Sequence, residues 1–328
     1  MFMKKIINAP ADVVAQTLAG MAAAHPELEY TPGAEVISLR GKVPGRVGIV
    51  SGGGSGHEPA HAGYVGQGML TAAVAGNMFS SPGPDRVLEG IRKADAGAGV
   101  LMVIKNYSGD VMNFEMAADM AEDIEVRHVV VRDDVAVPDS TYSTGRRGIA
   151  GTVFVHKIAG AKAAQGASLD QVQAAAQKAC DNTRSMGMAM TPCILPAVGK
   201  PGFELGENEV EIGMGIHGEP GVERTGVKPS KEVAEILLGK ILDDMDFGGQ
   251  QVALMVNGLG ATPLMELYIL CGDVAELLKQ KGVEVYKSFV GNYMTSIEMA
   301  GCSLTLMKLD DELKGLLDAP ASTPALKV

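Results

Sequence analysis

The sequence contains no tryptophan, and its seven tyrosines and seven phenylalanines leave it with 4 % aromatic residues. A surface built on aromatic stacking is poorly served by so few rings. Positive charge is also short. There are 28 Lys+Arg against 39 Asp+Glu, a formal net charge of −11, and no basic tract stands out against it. Nucleic acid and anionic membrane surfaces are therefore poor partners. No apolar run approaches the ~18 residues of a membrane span. The first fourteen residues carry Lys4 and Lys5, but Pro10 and Asp12 interrupt any apolar h-region, which argues against a secretory leader and for the cytoplasm. Met3 is an alternative native start, with Met1 and Phe2 then added upstream. The four cysteines, Cys180, Cys193, Cys271 and Cys302, form no CxxC pair. They read as free thiols of a reducing compartment rather than a zinc site.

What the chain does have is glycine, 42 residues of it, and 46 % hydrophobic residues. That combination fits an α/β protein whose loops approach a small polar ligand. At ~150 residues per domain, 328 residues suggest two domains around one composite site. The first half alternates apolar runs with polar loops. Runs at 46–50, 100–104 and 126–131 read as buried strands, followed by loops 51–59, 105–110 and 132–134; segments 84–96 and 113–122 read as helices. This alternation predicts a largely parallel sheet flanked by helices, with ligands at the carboxyl ends of the strands. Ser168 and Gln171 have capping-box spacing and open a helix through Cys180.

The segment 183–199, rich in Met, Gly and Pro, marks a domain boundary, giving an N-terminal α/β domain over 1–183 and a C-terminal one over 184–328 whose tail packs back on the first. The second half repeats the alternation, with strands at 209–216, 251–256, 283–289 and 303–307, a helix presenting Val233, Ile236, Leu237 and Ile241 on one face, and another opening at Pro263. The predicted fold is thus two α/β domains with mostly parallel or mixed sheets flanked by helices and a ligand site at their interface.

Five loops carry chemistry. Gly52-Gly-Gly-Ser-Gly56 fits neither a P-loop nor GxGxxG, and His57-Glu-Pro59 follows it. It reads either as a tight turn or as a nest of free N–H groups, with His57 placed to meet what the nest holds. Lys105 and Asp110 bracket a loop after a strand. They are either a surface ion pair or a donor and a proton acceptor for a substrate. His217 sits among four glycines in Gly213-Met-Gly-Ile-His-Gly-Glu-Pro-Gly221. It is either a structural histidine or a nucleophile, since neutral imidazole attacks carbonyl carbon. Asn257-Gly-Leu-Gly-Ala-Thr262 reads as a strand–helix turn in preference to a phosphate cradle. Arg146 and Arg147 read by default as solvated cations, with a phosphate or acidic partner as the other option. His25, His61, His128 and His156 have no context beyond structural or surface roles.

In this order, Gly52-Gly-Gly-Ser-Gly-His-Glu-Pro59, Ile104-Lys-Asn-Tyr-Ser-Gly-Asp110, Thr144-Gly-Arg-Arg-Gly148, the His217 loop and Asn257-Gly-Leu-Gly-Ala-Thr-Pro263 resemble the ligand-binding K subunits of the dihydroxyacetone kinase family, over essentially the whole chain. The resemblance implies that His217 binds the ketone carbon of dihydroxyacetone as a hemiaminal. It implies Asp110 as the base for the hydroxyl to be phosphorylated, His57 as a hydrogen-bonding helper, and Lys105 and Gly54 as holders of substrate oxygens. ATP-using members fuse a helical nucleotide domain after this part. A chain ending at Val328 resembles the stand-alone subunit of the phosphotransferase-coupled form. No cofactor is then expected on this chain. Adenine nucleotide and Mg²⁺ belong to a partner L subunit, recharged by a phosphohistidine M subunit, and the K part is a homodimer. Two other readings stay open: a non-enzymatic dihydroxyacetone sensor that activates a transcription regulator, and a nucleotide-binding α/β enzyme.

Overall fold

The computed structural model describes residues 4–138 and 143–328, so the choice between Met1 and Met3 as the start lies outside the described residues. The first half forms a six-stranded sheet from β1 (Leu28–Thr31), β2 (Val36–Leu39), β3 (Gly48–Ser55), β4 (Ala72–Met78), β5 (Val100–Lys105) and β6 (Val126–Val131), in the order β1-β2-β4-β3-β5-β6. β4, β3, β5 and β6 run parallel, as the strand–loop–helix pattern predicts, and β1 and β2 add an antiparallel edge. Three of these strands escaped the sequence reading. β1 and β2 have four residues each, and β4 is rich in Ala and Gly, which have little intrinsic preference for a strand.

The parallel strands are buried on both faces, because their side chains alternate between two helical layers. Val50, Met102 and Ile104 pack against α2 (Pro84–Ala94) and α3 (Ser108–Met120), following α1 (Val13–Ala24) in the chain. Ile49, Leu101 and Val103 face α4 (Thr152–Ala164) and α5 (Leu169–Asp181). α2 shows why such helices form: Pro84 occupies its first turn, and Val87, Leu88, Ile91 and Ala94 make one buried stripe. Each large member of that stripe contributes roughly 1.5–3 kcal/mol by leaving water. α5 opens with the Ser168–Gln171 capping box that its sequence announces.

The second sheet holds β7 (Thr183–Ala189), β8 (Glu209–Ile212), β9 (Glu223–Gly226), β10 (Gln251–Gly258), β11 (Glu284–Gly291) and β12 (Gly301–Leu309), in the order β11-β10-β12-β7-β8-β9. This sheet is mixed, one of the two forms expected from the alternation. Only β10 and β11 are parallel, and the other four neighbouring pairs are antiparallel. The reason is the connections. A parallel pair needs a long crossover, which α7 (Leu264–Gln280) supplies between β10 and β11. β7, β8 and β9 follow one another without a helix, and β11 reaches β12 through the 292–300 loop. α6 (Ser230–Asp244) and α7 cover one face, with Val233, Leu237, Leu267 and Val274 buried against Leu254 and Leu304.

The opposite face, with Ala253, Met255 and Met307, joins the same core as Ile49 and Leu101, so α4 and α5 are shared between the sheets. α8 (Asp311–Asp318) seats on α4, where the buried Lys157 Nζ donates to the Leu316 carbonyl at 2.6 Å. Beyond it the tail returns to the first half: Ser322 bridges to Gln67, and the Ala325 N–H donates to the Gly63 carbonyl at 3.0 Å. Among the described residues no helix is long and apolar enough to cross a membrane.

Candidate active site

The glycine run is not a loop. β3 continues through it to Ser55, fully buried. The sequence reading ended the strand at Val50 because glycine lacks strand preference, but pairing with β4 overrides that weak local signal. The ladder to β4 shifts register between Gly53 and Ser55, a bulge that leaves Gly54 outside the regular pairing. At Gly53, with φ of +146°, an added Cβ would lie 2.4 Å from Lys105 Nζ and 3.1 Å from Asp110 Oδ2. At Gly54 it would lie 2.6 Å from the Ser80 nitrogen. One glycine clears space toward the charged pair, and the next lets the Phe79–Ser80 backbone close on the strand.

Lys105 ends β5, and α3 begins at Ser108, before the expected Asn113. Asp110 therefore lies in the first turn of a helix, where the helix dipole favours a carboxylate. Neither residue is a surface ion pair. Lys105 is wholly buried and Asp110 is nearly so. The Lys105 ammonium donates to Asp110 Oδ2 at 3.3 Å, to the Gly52 carbonyl at 3.2 Å and to His61 Nε2 at 3.1 Å.

From the other half of the chain, the loop between β8 and β9 brings His217 to this spot. Its ring centroid is 4.8 Å from that of His57, 5.3 Å from Phe79 and 4.6 Å from Tyr107. The His217 side chain keeps 17 % exposure. His57 has none, so His217 is the more accessible of the two rings. Glu219 grips His217 twice: Oε1 lies 2.9 Å from Nδ1, and Oε2 accepts the His217 backbone N–H at 2.9 Å. Burial pushes the Glu219 carboxyl up, but His217 and Arg147 outweigh it and hold it at about 2. An ionised Glu219 takes the proton-bearing Nδ1 as its donor, which leaves the lone pair of a neutral His217 on Nε2.

His57 is fixed in a matching way. Nδ1 lies 2.8 Å from the Thr295 carbonyl and must be the protonated nitrogen. Nε2 is buried without a partner. Burial, aided by the nearby Lys105 charge, lowers the His57 pKa well below its ordinary value, so the ring is neutral and Nε2 is an unused acceptor.

Two motifs set aside as bland brace this cluster. Asn257 lies in β10 rather than in a turn. It donates to the Met294 carbonyl at 2.8 Å and to Ser303 Oγ at 3.1 Å, and its Oδ1 accepts the Tyr293 and Met294 N–H groups at 2.8 and 3.0 Å. It thereby pins the loop that presents the Thr295 carbonyl to His57. Arg147 is not solvated. It is wholly buried, with Nε 2.7 Å from Asp134 Oδ2 and Nη2 2.7 Å from the Gly213 carbonyl, at the root of the His217 loop. Arg146 pairs with both oxygens of Asp244, which Arg184 also holds.

The structure thus brings His57, Lys105, Asp110, His217 and the Gly53–Gly54 backbone into one neighbourhood. Sequence reasoning missed Glu219, Phe79, Tyr107, Arg147, His61 and His156. Glu219 had a signal, two residues from His217 in the same glycine-rich loop. His61 and His156 had none, because their environment is made of buried groups distant in the chain.

A family model described as the Dak1 domain matches residues 19–325. The dihydroxyacetone-binding subunit DhaK of PTS-dependent dihydroxyacetone kinase 1 from Listeria innocua is 56 % identical over 314 residues, covering 94 % of this chain and 95 % of that protein. Among solved structures, the dihydroxyacetone kinase operon co-activator Dha-DhaQ superposes with a TM-score of 0.90 at 39 % identity, covering 94 % of this chain and 97 % of the other. The dihydroxyacetone kinase of C. freundii superposes with a TM-score of 0.92 at 34 % identity, covering 99 % of this chain and 60 % of the other.

Proposed function

The chain belongs to the Dak1 domain family, and on that premise we propose that it is the dihydroxyacetone-binding subunit of a phosphotransferase-dependent dihydroxyacetone kinase. One observation carries the reading: the buried, unpartnered Nε2 of His57 lies beside a histidine whose Nδ1 is committed to Glu219. An acceptor with no donor suits a substrate hydroxyl, and a ring with its lone pair on Nε2 suits a ketone carbon.

In this mechanism the His217 Nε2 lone pair bonds to the carbonyl carbon of dihydroxyacetone, and the carbonyl π pair moves onto oxygen. That oxygen takes a proton from solvent while the ring keeps the one on Nδ1, so the adduct is a cationic ring whose charge is balanced by the ionised Glu219. Glu219 stabilises the positive charge on the ring, as the carboxylate of a catalytic triad does for its histidine. His57 accepts a substrate O–H, and the Gly54 backbone and Lys105 hold the substrate oxygens. Asp110 takes the proton of the terminal hydroxyl as that oxygen bonds to phosphorus and the bond from phosphorus to the departing diphosphate breaks. Most of the gain in such a transfer comes from positioning and charge stabilisation. A covalent anchor explains how few polar groups hold so small a ligand, and it rejects glycerol, which has no carbonyl.

The phosphoryl donor in this reading is adenine nucleotide with Mg²⁺ on an L subunit, recharged by a phosphohistidine M subunit, with the present chain as a cytoplasmic homodimer. The names of the similar bacterial subunits support the phosphotransferase dependence. The test is intact-protein mass with labelled dihydroxyacetone. The parent chain should gain one triose and His217→Ala none; a triose retained by His217→Ala removes the nucleophile assignment. Asp110→Asn should keep the triose and lose turnover with L and M subunits present.

The likeness to an operon co-activator favours a second reading, a sensor that captures dihydroxyacetone without phosphorylating it. A sensor needs His217 but neither Asp110 nor Lys105. Absence of phosphorylation by the parent chain in the presence of both partner subunits would select it.

A further inference from the structure

Behind Lys105 lies a second pair of histidines that the proposed chemistry does not use. His61 precedes the short turn at Ala62–Tyr64, and His156 lies within α4; both are buried, with His156 wholly so. Their rings are 5.2 Å apart, and His61 Nδ1 is 3.0 Å from His156 Nε2. The protons of this pair can be assigned. A lysine ammonium has only donors, so His61 Nε2, 3.1 Å from Lys105 Nζ, must be an acceptor. His61 then carries its proton on Nδ1. Ser51 agrees, because its hydroxyl donates to the Val103 carbonyl at 2.7 Å and can only accept from His61 Nδ1 at 3.3 Å. His156 Nε2 therefore accepts, and its proton sits on Nδ1, which is buried with no partner. Burial and the Lys105 charge hold both rings neutral.

An apolar pair would fill this space without stranding an N–H, and buried polar groups are rarely left so. What the polar pair supplies is a rigid acceptor for the ammonium. With the Gly52 carbonyl, it occupies two of the three Lys105 hydrogens and leaves the third, which faces Asp110, to be shared with a substrate oxygen.

We propose that His61 and His156 are positioning residues for the phosphoryl-transfer step: His61 holds the Lys105 ammonium against Asp110, and His156 holds His61 in the required tautomer. The inference rests on the functional reading above, in which Lys105 holds a substrate oxygen beside Asp110, the base for the reacting hydroxyl. A misplaced ammonium slows the chemistry without preventing capture by His217, since positioning errors of this kind act on the rate.

The experiment combines triose capture by mass with turnover in the presence of L and M subunits. His61→Leu should still capture the triose and turn over at least tenfold more slowly, with the fall in kcat rather than in KM. His61→Gln, whose carboxamide oxygen can accept from Lys105, should recover most of the rate. In a Lys105→Met background, His61→Leu should have less than a twofold further effect, because its influence runs through Lys105. If His61→Leu does not fold, His156→Leu gives the same test of non-additivity. Normal turnover by His61→Leu, or effects that multiply in the double variant, would overturn the proposal. A parent chain that captures no triose would instead overturn the functional reading, and this inference with it.

Discussion

Replacing Glu219 by glutamine keeps the shape of the side chain and removes its charge. Both contacts to His217 are donors, the ring Nδ1–H and the backbone N–H, and each takes one carboxylate oxygen at 2.9 Å. Glutamine has a single acceptor oxygen, so one of the two bonds must fail. The carboxyl of Glu219, 4.5 in its ordinary state, sits at about 2 here. That difference corresponds to roughly 3 kcal/mol in favour of the ionised form. The Nδ1–H bond to an ionised Glu219 is charge-assisted, and a bond of that kind contributes roughly 1.5–3 kcal/mol. Glu219→Gln should therefore bind dihydroxyacetone about tenfold more weakly. The assay is a titration followed by ¹³C NMR with the ketone carbon labelled, since that carbon moves from a carbonyl to a hemiaminal position on capture. Stability gives a second readout. A depressed carboxyl stabilises the fold above its unfolded value and loses that contribution as pH falls through the folded one. The gap in denaturation midpoint between parent and variant should thus be full above pH 4.5 and close as pH approaches 2. A variant that captures the triose as tightly as the parent would refute the role given to Glu219.

Gly53→Ala should abolish turnover and destabilise the fold by ~1–3 kcal/mol, because φ of +146° disfavours a side chain and the new methyl would meet the Lys105 ammonium at 2.4 Å; denaturant unfolding and coupled turnover check both parts. Asn257→Ala leaves four hydrogen-bonding groups on three neighbouring residues without their partner. It should cost ~2–4 kcal/mol and weaken triose capture through the loosened Thr295 carbonyl, whereas capture at parental affinity would show that this loop does not position His57.

The parallel half of the fold was readable because buried strands such as Val100–Lys105 are continuous apolar runs bounded by polar loops. β4 and the end of β3 were not, because Ala and Gly become strand only when a neighbour supplies the hydrogen bonds. The strand directions within the mixed second sheet were not legible for a related reason: a strand announces itself by composition, but its partner and direction are set by the connections. The site divides the same way. His57, Lys105, Asp110 and His217 stand out by their place at strand ends among glycines. Arg147 and Asn257 looked ordinary because what they hold, the Gly213 carbonyl and the 293–295 loop, is brought to them only by folding.

The composition by itself set the terms: few aromatics, an acidic balance and abundant glycine rule toward a small polar ligand met by backbone and a handful of charged side chains. Ordered local motifs identified which side chains those are. Only the tertiary structure decided their protonation. The Thr295 carbonyl, Glu219 and the Lys105 ammonium dictate which nitrogen of His57, His217 and His61 carries a proton. A histidine's chemistry depends on that choice, and the partners that make it for His57 and His61 lie 238 and 44 residues away in the chain.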